Sequence, residues 1–135
     1  MSWLLDTNAC IAIINGRPPA VRHRLRSALN RGEPVAVSSV ALFELWYGVA
    51  KSARPGPNTE RLAIFLAPLD TLPFDEDDAR AAGAVRAALE QAGTPIGAYD
   101  TLLAGQALRR GLLLVTANVA EFARVSGLSW QNWAE

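Results

Sequence analysis

The chain reads as an α/β protein built on a mostly parallel sheet with helices on both faces. Short apolar runs alternate with segments of helical periodicity along the whole length, which is the pattern of strand–helix–strand units. One run, Leu112-Leu113-Leu114-Val115, is apolar throughout, as a strand covered on both faces of a parallel sheet must be. Half of the 135 residues are apolar and 19% are charged, a globular composition with enough chain for one domain, residues 1–135, and a core without staples.

The elements follow in order. Trp3-Leu4-Leu5 is a first buried strand ending at Asp6. A short helix runs from Ala9 to Asn15, stopped by Gly16 and Pro18, and a second from Pro19 to Arg31, with Pro19 in its first turn and Gly32 past its end. Val35-Ala36-Val37 is a second strand, and Ser38 or Ser39 caps a strong helix through Ala53. Residues Ala53 to Asn58, with two prolines and a glycine, read as a loop before a helix from Thr59 to Ala67. Thr71-Leu72-Pro73-Phe74 is a third strand, placed at an edge by its proline. Asp75 opens a long helix to Ala92, Gly93-Thr94-Pro95 is a turn, and a helix from Ala98 to Arg110 ends at Gly111. The fourth strand is Leu112 to Val115, and a weak fifth lies near Leu128 to Trp130. There is no internal repeat, low-complexity segment or interdomain linker.

Bulk properties exclude several classes. The single cysteine, Cys10, cannot form an internal disulfide, which fits a reducing compartment. The start MSWLLDTN has no basic region and no long apolar stretch, unlike a signal peptide, and no run approaches the roughly 18 apolar residues of a membrane span. A cytoplasmic protein without a membrane is expected. The formal net charge is zero, from 13 basic and 13 acidic residues, which argues against nucleic-acid binding held by bulk charge but not against a local grip. Arg17, Arg22, Arg24, Arg26 and Arg31 crowd one segment; they form either a solvated helix face or a patch for phosphates or an acidic partner.

Three carboxylates look out of place. Asp6 sits at the C-terminal end of the first strand, where ligand sites of open parallel sheets lie, although it also reads as a cap for the helix starting at Ala9. Glu44 stands in Val40-Ala41-Leu42-Phe43-Glu44-Leu45-Trp46-Tyr47, and a carboxylate on an apolar helix face is expensive to bury without a cation or hydrogen bonds; the alternative is that Val40, Glu44 and Tyr47 share an exposed face. Asp100 lies in the first turn of an otherwise apolar helix, where an acid also suits the helix dipole. Asp75-Glu76-Asp77-Asp78 reads as capping and dipole complementarity. Glu121 follows the fourth strand and is either near the site or solvated. One cysteine and one histidine exclude a Cys/His zinc site, and His23, between two arginines, reads as a surface residue. No phosphate loop or nucleophile elbow is present. Carboxylate oxygens select hard cations, so magnesium, or manganese, is the expected ion.

Four blocks resemble the signature of PIN-domain nucleases: Leu4-Leu5-Asp6-Thr7-Asn8, Ser38-Ser39 through Ala41-Leu42-Phe43-Glu44-Leu45, Gly97-Ala98-Tyr99-Asp100, and Val115-Thr116-Ala117-Asn118-Val119-Ala120-Glu121-Phe122. They are short but occur in the family's order across nearly the whole chain, and the nearest type is the VapC toxin of bacterial toxin–antitoxin pairs. The resemblance implies a Rossmann-like three-layer α/β/α fold. It implies magnesium-dependent endoribonuclease activity as the toxin of a type II pair, a homodimer, and inhibition by a small VapB-type antitoxin. The family's acids fall on Asp6, Glu44 and Asp100, its polar contact after the first acid on Thr7 or Asn8, and its last-block threonine on Thr116. Many PIN domains carry a fourth aspartate where this chain has Asn118, a departure that bears on a second metal position and leaves the first.

The chemistry suits the residues. Phosphodiester hydrolysis needs an activated water and neutralisation of charge on the phosphate, both of which a divalent ion supplies. Asp6 and Asp100 are the expected direct ligands, with Glu44 binding through water or orienting the nucleophile. The alternative from another class is a PIN-fold metal- or RNA-binding module without turnover. A phosphoryl-accepting signalling domain also places acids at strand ends, but normally uses a lysine there, and the only lysine, Lys51, lies in the helix before the proline-rich stretch.

Overall fold

The computed structural model describes residues 1–135. Five strands, β1 (Trp3–Leu5), β2 (Val35–Ser38), β3 (Asp70–Leu72), β4 (Leu113–Val115) and β5 (Trp130–Gln131), form one sheet in the order β3-β2-β1-β4-β5. Every pairing is parallel. Leu5 lies opposite both Val37 and Val115. At this end the three central strands are in step, and the next residues, Asp6, Ser38 (the last of β2) and Thr116, line one edge. Strand order reverses between β1 and β4, and the crevice beyond such a switch point is where open α/β sheets bind ligands.

The helices are α1 (Thr7–Asn15), α2 (Pro19–Asn30), α3 (Ser39–Lys51), α4 (Pro55–Leu66), α5 (Glu76–Gln91), α6 (Ala98–Arg110) and α7 (Val119–Phe122). The pleat sorts them into two layers. Trp3, Leu5, Val35, Val37 and Val115 join Ile13, Leu25, Leu45 and Leu62 from α1 to α4. The alternate residues Leu4, Ala36 and Leu114 face Val85, Leu89, Ala104 and Phe122 from α5 to α7. Because both faces are covered, a one-residue slip would exchange the two cores, so the register is tightly specified. The result is the expected three-layer α/β/α arrangement. On the second face α5 and α6 approach closely: a Cβ added at Gly105 would lie 2.5 Å from the Ala82 backbone, so only glycine permits this contact.

Several boundaries differ from the sequence reading. The stretch Ala53 to Asn58 is not a loop throughout, because α4 begins at Pro55. Proline fits a first helical turn, whose N–H groups have no partner within the helix, and the Asn58 N–H already donates to the Arg54 carbonyl at 3.1 Å. Helix α1 starts at Thr7 rather than Ala9, and Asp6 caps it. The third strand ends before Pro73 and lies at an edge, the fifth is shifted to Trp130–Gln131, and α7 is an additional single turn. Ser38 caps α3, while Ser39 accepts the Phe74 N–H at 2.9 Å. His23 is exposed. No helix is long and apolar enough to cross a membrane.

The acidic run at the start of α5 does more than cap. Asp75 and Asp78 form a reciprocal capping box, as expected, but Asp78 is also fully buried. It accepts hydrogen bonds from Gln106 at 3.1 Å and from Arg109 and Arg110 at 3.0 to 3.2 Å, tying the start of α5 to the end of α6. Burial opposes its charge, yet the hydrogen bonds from Arg110 and the Asp75 N–H, with the Arg110 charge, hold the carboxyl at about 2. A depressed acid stabilises the fold above its unfolded pKa, near 4, and that contribution is lost as pH falls through about 2. Asp78→Ala is expected to lower stability by about 2 kcal/mol at pH 7, because it removes a buried charged acceptor from Gln106, Arg109 and Arg110 and half of the capping box. The loss should shrink toward pH 2, as read from denaturant melts of both proteins.

Candidate active site

The level strand ends bring the acids together. Asp6 leaves β1, donates its backbone N–H to the Val115 carbonyl at 3.1 Å and turns into α1. Its Oδ1 accepts the Ala9 N–H at 2.7 Å. The carboxylate is 3% exposed, so it caps the helix and lines the crevice at once; the two readings of Asp6 were not exclusive. Burial raises its pKa above the usual carboxylate range, hydrogen bonds from Thr116 and Ala9 oppose this, and the charge of Glu44 adds to the rise. Cys10, one turn further along α1, is fully buried, and burial together with Asp6 pushes its thiol far up, which keeps it protonated.

Glu44 reaches the same place from α3. It is half-buried, and its Oε1 accepts the Thr7 hydroxyl at 2.7 Å. Of the two residues after Asp6 that could supply the polar contact, Thr7 supplies it, while Asn8 is exposed. Tyr47, one turn on from Glu44, is exposed, so this face of α3 passes from the crevice to the surface.

Asp100 arrives from the first turn of α6, a helix that begins without a side-chain cap. Asn118 lies across from it and donates to Asp100 Oδ2 at 3.5 Å and to Glu121 Oε2. Thr116 is buried, and its hydroxyl accepts the Asn118 N–H at 2.9 Å, which fixes the loop after β4. Glu121, one turn into α7, completes the group, so it belongs to the site rather than to open solvent. Asp100 is pushed up to about 7, first by burial, then by its hydrogen bond and repulsion with Glu121, then by Asp6 and Glu44. Glu121 is held low, first by the hydrogen bond from Asp100, with Asn118 and the Gly97 N–H assisting against burial.

The structure thus brings Asp6, Glu44, Asp100, Thr116 and Asn118 together and adds Glu121. None of the four acids forms an ion pair, whereas Glu33, Asp75, Asp77, Asp78 and Glu90 all do. The donors are all hard oxygen atoms, which fits magnesium or manganese. As arranged, no three of the carboxylates converge on one point at ligand distance; the cluster is open, its members coupled through charge.

Uncompensated charge has a stability signature. A folded pKa raised to about 7 means that Asp100 favours the fold below its unfolded value, near 4, and that this contribution is lost as pH climbs through 7. Asp100→Asn is therefore expected to stabilise the metal-free protein by on the order of 1 kcal/mol at pH 7 and above, and to have little effect at pH 5. If Asp100 were only a helix-start acid, the same change would be neutral or destabilising at both. Thermal melts in EDTA at pH 5 and pH 8 separate the two.

The sequence matches the PIN domain over residues 3–128. Over 134 residues, 99% of each chain, it is 41% identical to the tRNA(fMet)-specific endonuclease VapC of Shigella flexneri. It is 38% identical to ribonuclease VapC2 of Rickettsia felis, over 98% of each chain. Among solved structures it superposes with a TM-score of 0.93 and 37% identity on the crystal structure of Rickettsia felis VapBC2 bound to a DNA fragment from their promoter, covering 98% of this chain and 99% of that one. For DNA-bound VapBC of Salmonella typhimurium the TM-score is 0.90 at 39% identity, covering 98% of both. With fold, acid cluster and full-length similarity in agreement, the chain belongs to the PIN-domain family and, within it, to the VapC group.

Proposed function

We propose that this chain is a magnesium-dependent endoribonuclease, the toxin of a type II toxin–antitoxin pair acting in the cytoplasm. The observation that carries the reading is the convergence of Asp6, Glu44, Asp100 and Glu121, without a single ion pair, on the switch-point edge of the sheet. Similarity to relatives named as VapC ribonucleases supports RNA as the substrate.

A bound magnesium ion would neutralise charge on the phosphate and acidify an attacking water. Asp6 and Asp100 would hold it directly and Glu44 through water. The chain's own groups set the geometry. The Ala9 N–H holds Asp6 Oδ1 at 2.7 Å, which leaves its other carboxylate oxygen for the ion. Thr7 orients Glu44, leaving its other oxygen to align a water. Without metal, burial and Glu121 push Asp100 up to about 7, so Asp100 would release its proton as it takes the ion. Without a cation the site would repel RNA as well as fail to cut it.

The same charge suits an antitoxin of the VapB type that supplies an arginine or lysine in trans, in keeping with the VapBC complexes among the structural relatives. A second copy of the chain is proposed on the outer face of α3. There Phe43, Trp46 and Tyr47 are 57%, 42% and 58% exposed, and Tyr99 from α6 packs beside Phe43 with ring centres 5.9 Å apart. An aromatic patch of this kind is what interfaces bury.

Asp6→Asn, Glu44→Gln and Asp100→Asn are each expected to lower RNA cleavage by at least ~10²-fold while leaving the circular dichroism spectrum unchanged. Cleavage should stop in EDTA and return with magnesium. Retained activity in any two variants would overturn the assignment, and metal-independent cleavage would overturn the role of the ion. Binding of RNA without any cleavage would favour the module lacking turnover. Light scattering should give a dimer at micromolar concentration and a monomer for Trp46→Glu; a natural chain that is already monomeric would count against the aromatic face.

A further inference from the structure

The acid cluster opens on one side into a groove between α1, α3 and α4, and Glu44 belongs to both. Its cavity volume is about 200 Å³, less than the roughly 300 Å³ of a small-molecule site, so it has room for about one ring. Ile11, Ile14 and Leu45 supply apolar walls, and Ile11 is 43% exposed. At the far end stand Asn15, Asn58 and Arg61. Arg61 has no acidic partner. Its guanidinium donates only at 3.3 and 3.4 Å, to the Ile14 carbonyl and Asn15 Oδ1, at the edge of hydrogen-bonding range. Arg22, by contrast, docks on the same helix end at 2.6 and 2.8 Å. Arg61 is thus a guanidinium free to be redirected.

A second observation comes from Gly48, which lines this groove in the interior of α3. A mid-helix glycine is disfavoured relative to alanine, and here nothing inside the chain requires it. Its φ is not positive, and a Cβ added there would meet no atom within 4 Å. Gly83 in α5 is equally open, but only at Gly48 does the missing side chain enlarge a groove that reaches the acid cluster.

We propose that this groove is the subsite for the RNA nucleotide next to the scissile phosphate. The base lies over Gly48 against the apolar walls, the Asn15 and Asn58 amides face its edge, and Arg61 holds its phosphate. Apolar or planar surface for a ring, amides for base edges and arginine for phosphate is the combination by which single-stranded RNA is bound. The shared residue Glu44 makes the groove continuous with the acid cluster, and Arg61, the one cation lining it, is of the right sign for an anionic strand. Outside the acid cluster the proposal identifies two residues, Gly48 and Arg61, that set substrate affinity. It rests on the nuclease reading above.

The test uses the full chain with Arg61→Gln, Arg61→Lys and Gly48→Leu. The probe is a short mixed-sequence single-stranded oligoribonucleotide carrying fluorescein. Anisotropy in calcium gives Kd, and steady-state cleavage in magnesium gives KM and kcat. Arg61→Gln should weaken binding about tenfold, as loss of a charged phosphate contact does. It should reduce the slope of log affinity against log salt by about 0.7 and raise KM while kcat is retained. Arg61→Lys should recover most of the salt slope. Gly48→Leu should raise the melting temperature and raise KM at least tenfold, so its defect cannot be unfolding. Unchanged Kd and KM in Arg61→Gln and Gly48→Leu would overturn the subsite. So would variants that lose affinity only for a VapB-type partner, since the groove would then be a protein-docking site. If the natural chain cuts no RNA, the nuclease reading fails and the anisotropy data alone decide whether the groove binds it.

Discussion

Asp6 is the residue on which both fold and site depend. It follows the central strand, so its position is set by neighbours on either side: its N–H is held by β4 and its side chain begins α1. Removing the carboxylate from the cap would free helix N–H groups in a nearly dry place, at about 1 kcal/mol. Keeping it there means burying a negative charge beside Glu44 and Asp100. The fold accepts this conflict, and two hydrogen bonds compensate it in part. What remains is an electrostatic demand that a cation meets better than any residue nearby.

That demand is local, although the chain as a whole is neutral. Arginine is plentiful, and elsewhere it is used. Arg109 and Arg110 close on Asp75 and Asp78, Arg109 also reaches Asp77, Arg31 meets Glu33, and Arg86 meets Glu90. The contrast is sharpest between Asp78 and Asp100. Both are on helices of the same layer and both are at least partly buried, yet guanidinium groups hold one at about 2 while other acids push the second to about 7. Net charge averages over these two environments and so hides the site. A site of this kind is recognised from acids that are clustered and at least partly buried yet left unpaired.

Much of this was legible in the residues. The apolar runs mark the central strands because these are covered on both faces and hold little that is polar, and the order of acids along the chain matched the order of the family's blocks. Asp6, Glu44 and Asp100 stood out because each interrupts an apolar stretch. Other features were not legible for stated reasons. Pro55 and Pro57 look like loop residues, since only the run of hydrogen bonds beyond them shows a helix. Asp78 looks like one more capping acid, because the arginines that bury it lie some thirty positions later. Glu121 was ambiguous because α7 is a single turn, too short to show a period. The one cue available was its place three residues after Asn118.

That spacing explains the departure from the family pattern at Asn118. Residues three apart on a helical turn face the same way, so Glu121 can carry a charge to nearly the place a fourth aspartate at 118 would have carried it. An aspartate there would have put acceptor against acceptor, beside the carboxylates of Asp100 and Glu121. The asparagine amide instead donates to both carboxylates, and its own N–H is tied to the Thr116 hydroxyl, a group that opposes the rise in the Asp6 pKa. Thr116, Asn118 and Glu121 therefore form one connected unit: a hydroxyl, an amide and an acid that link the carboxylate at the end of β1 to the one at the start of α6. Exchanging acid for amide at 118 moves the fourth negative charge by one helical turn and adds a donor where the site is most crowded. The acid count of the crevice is kept, and an amide donor stands between Asp100 and Glu121.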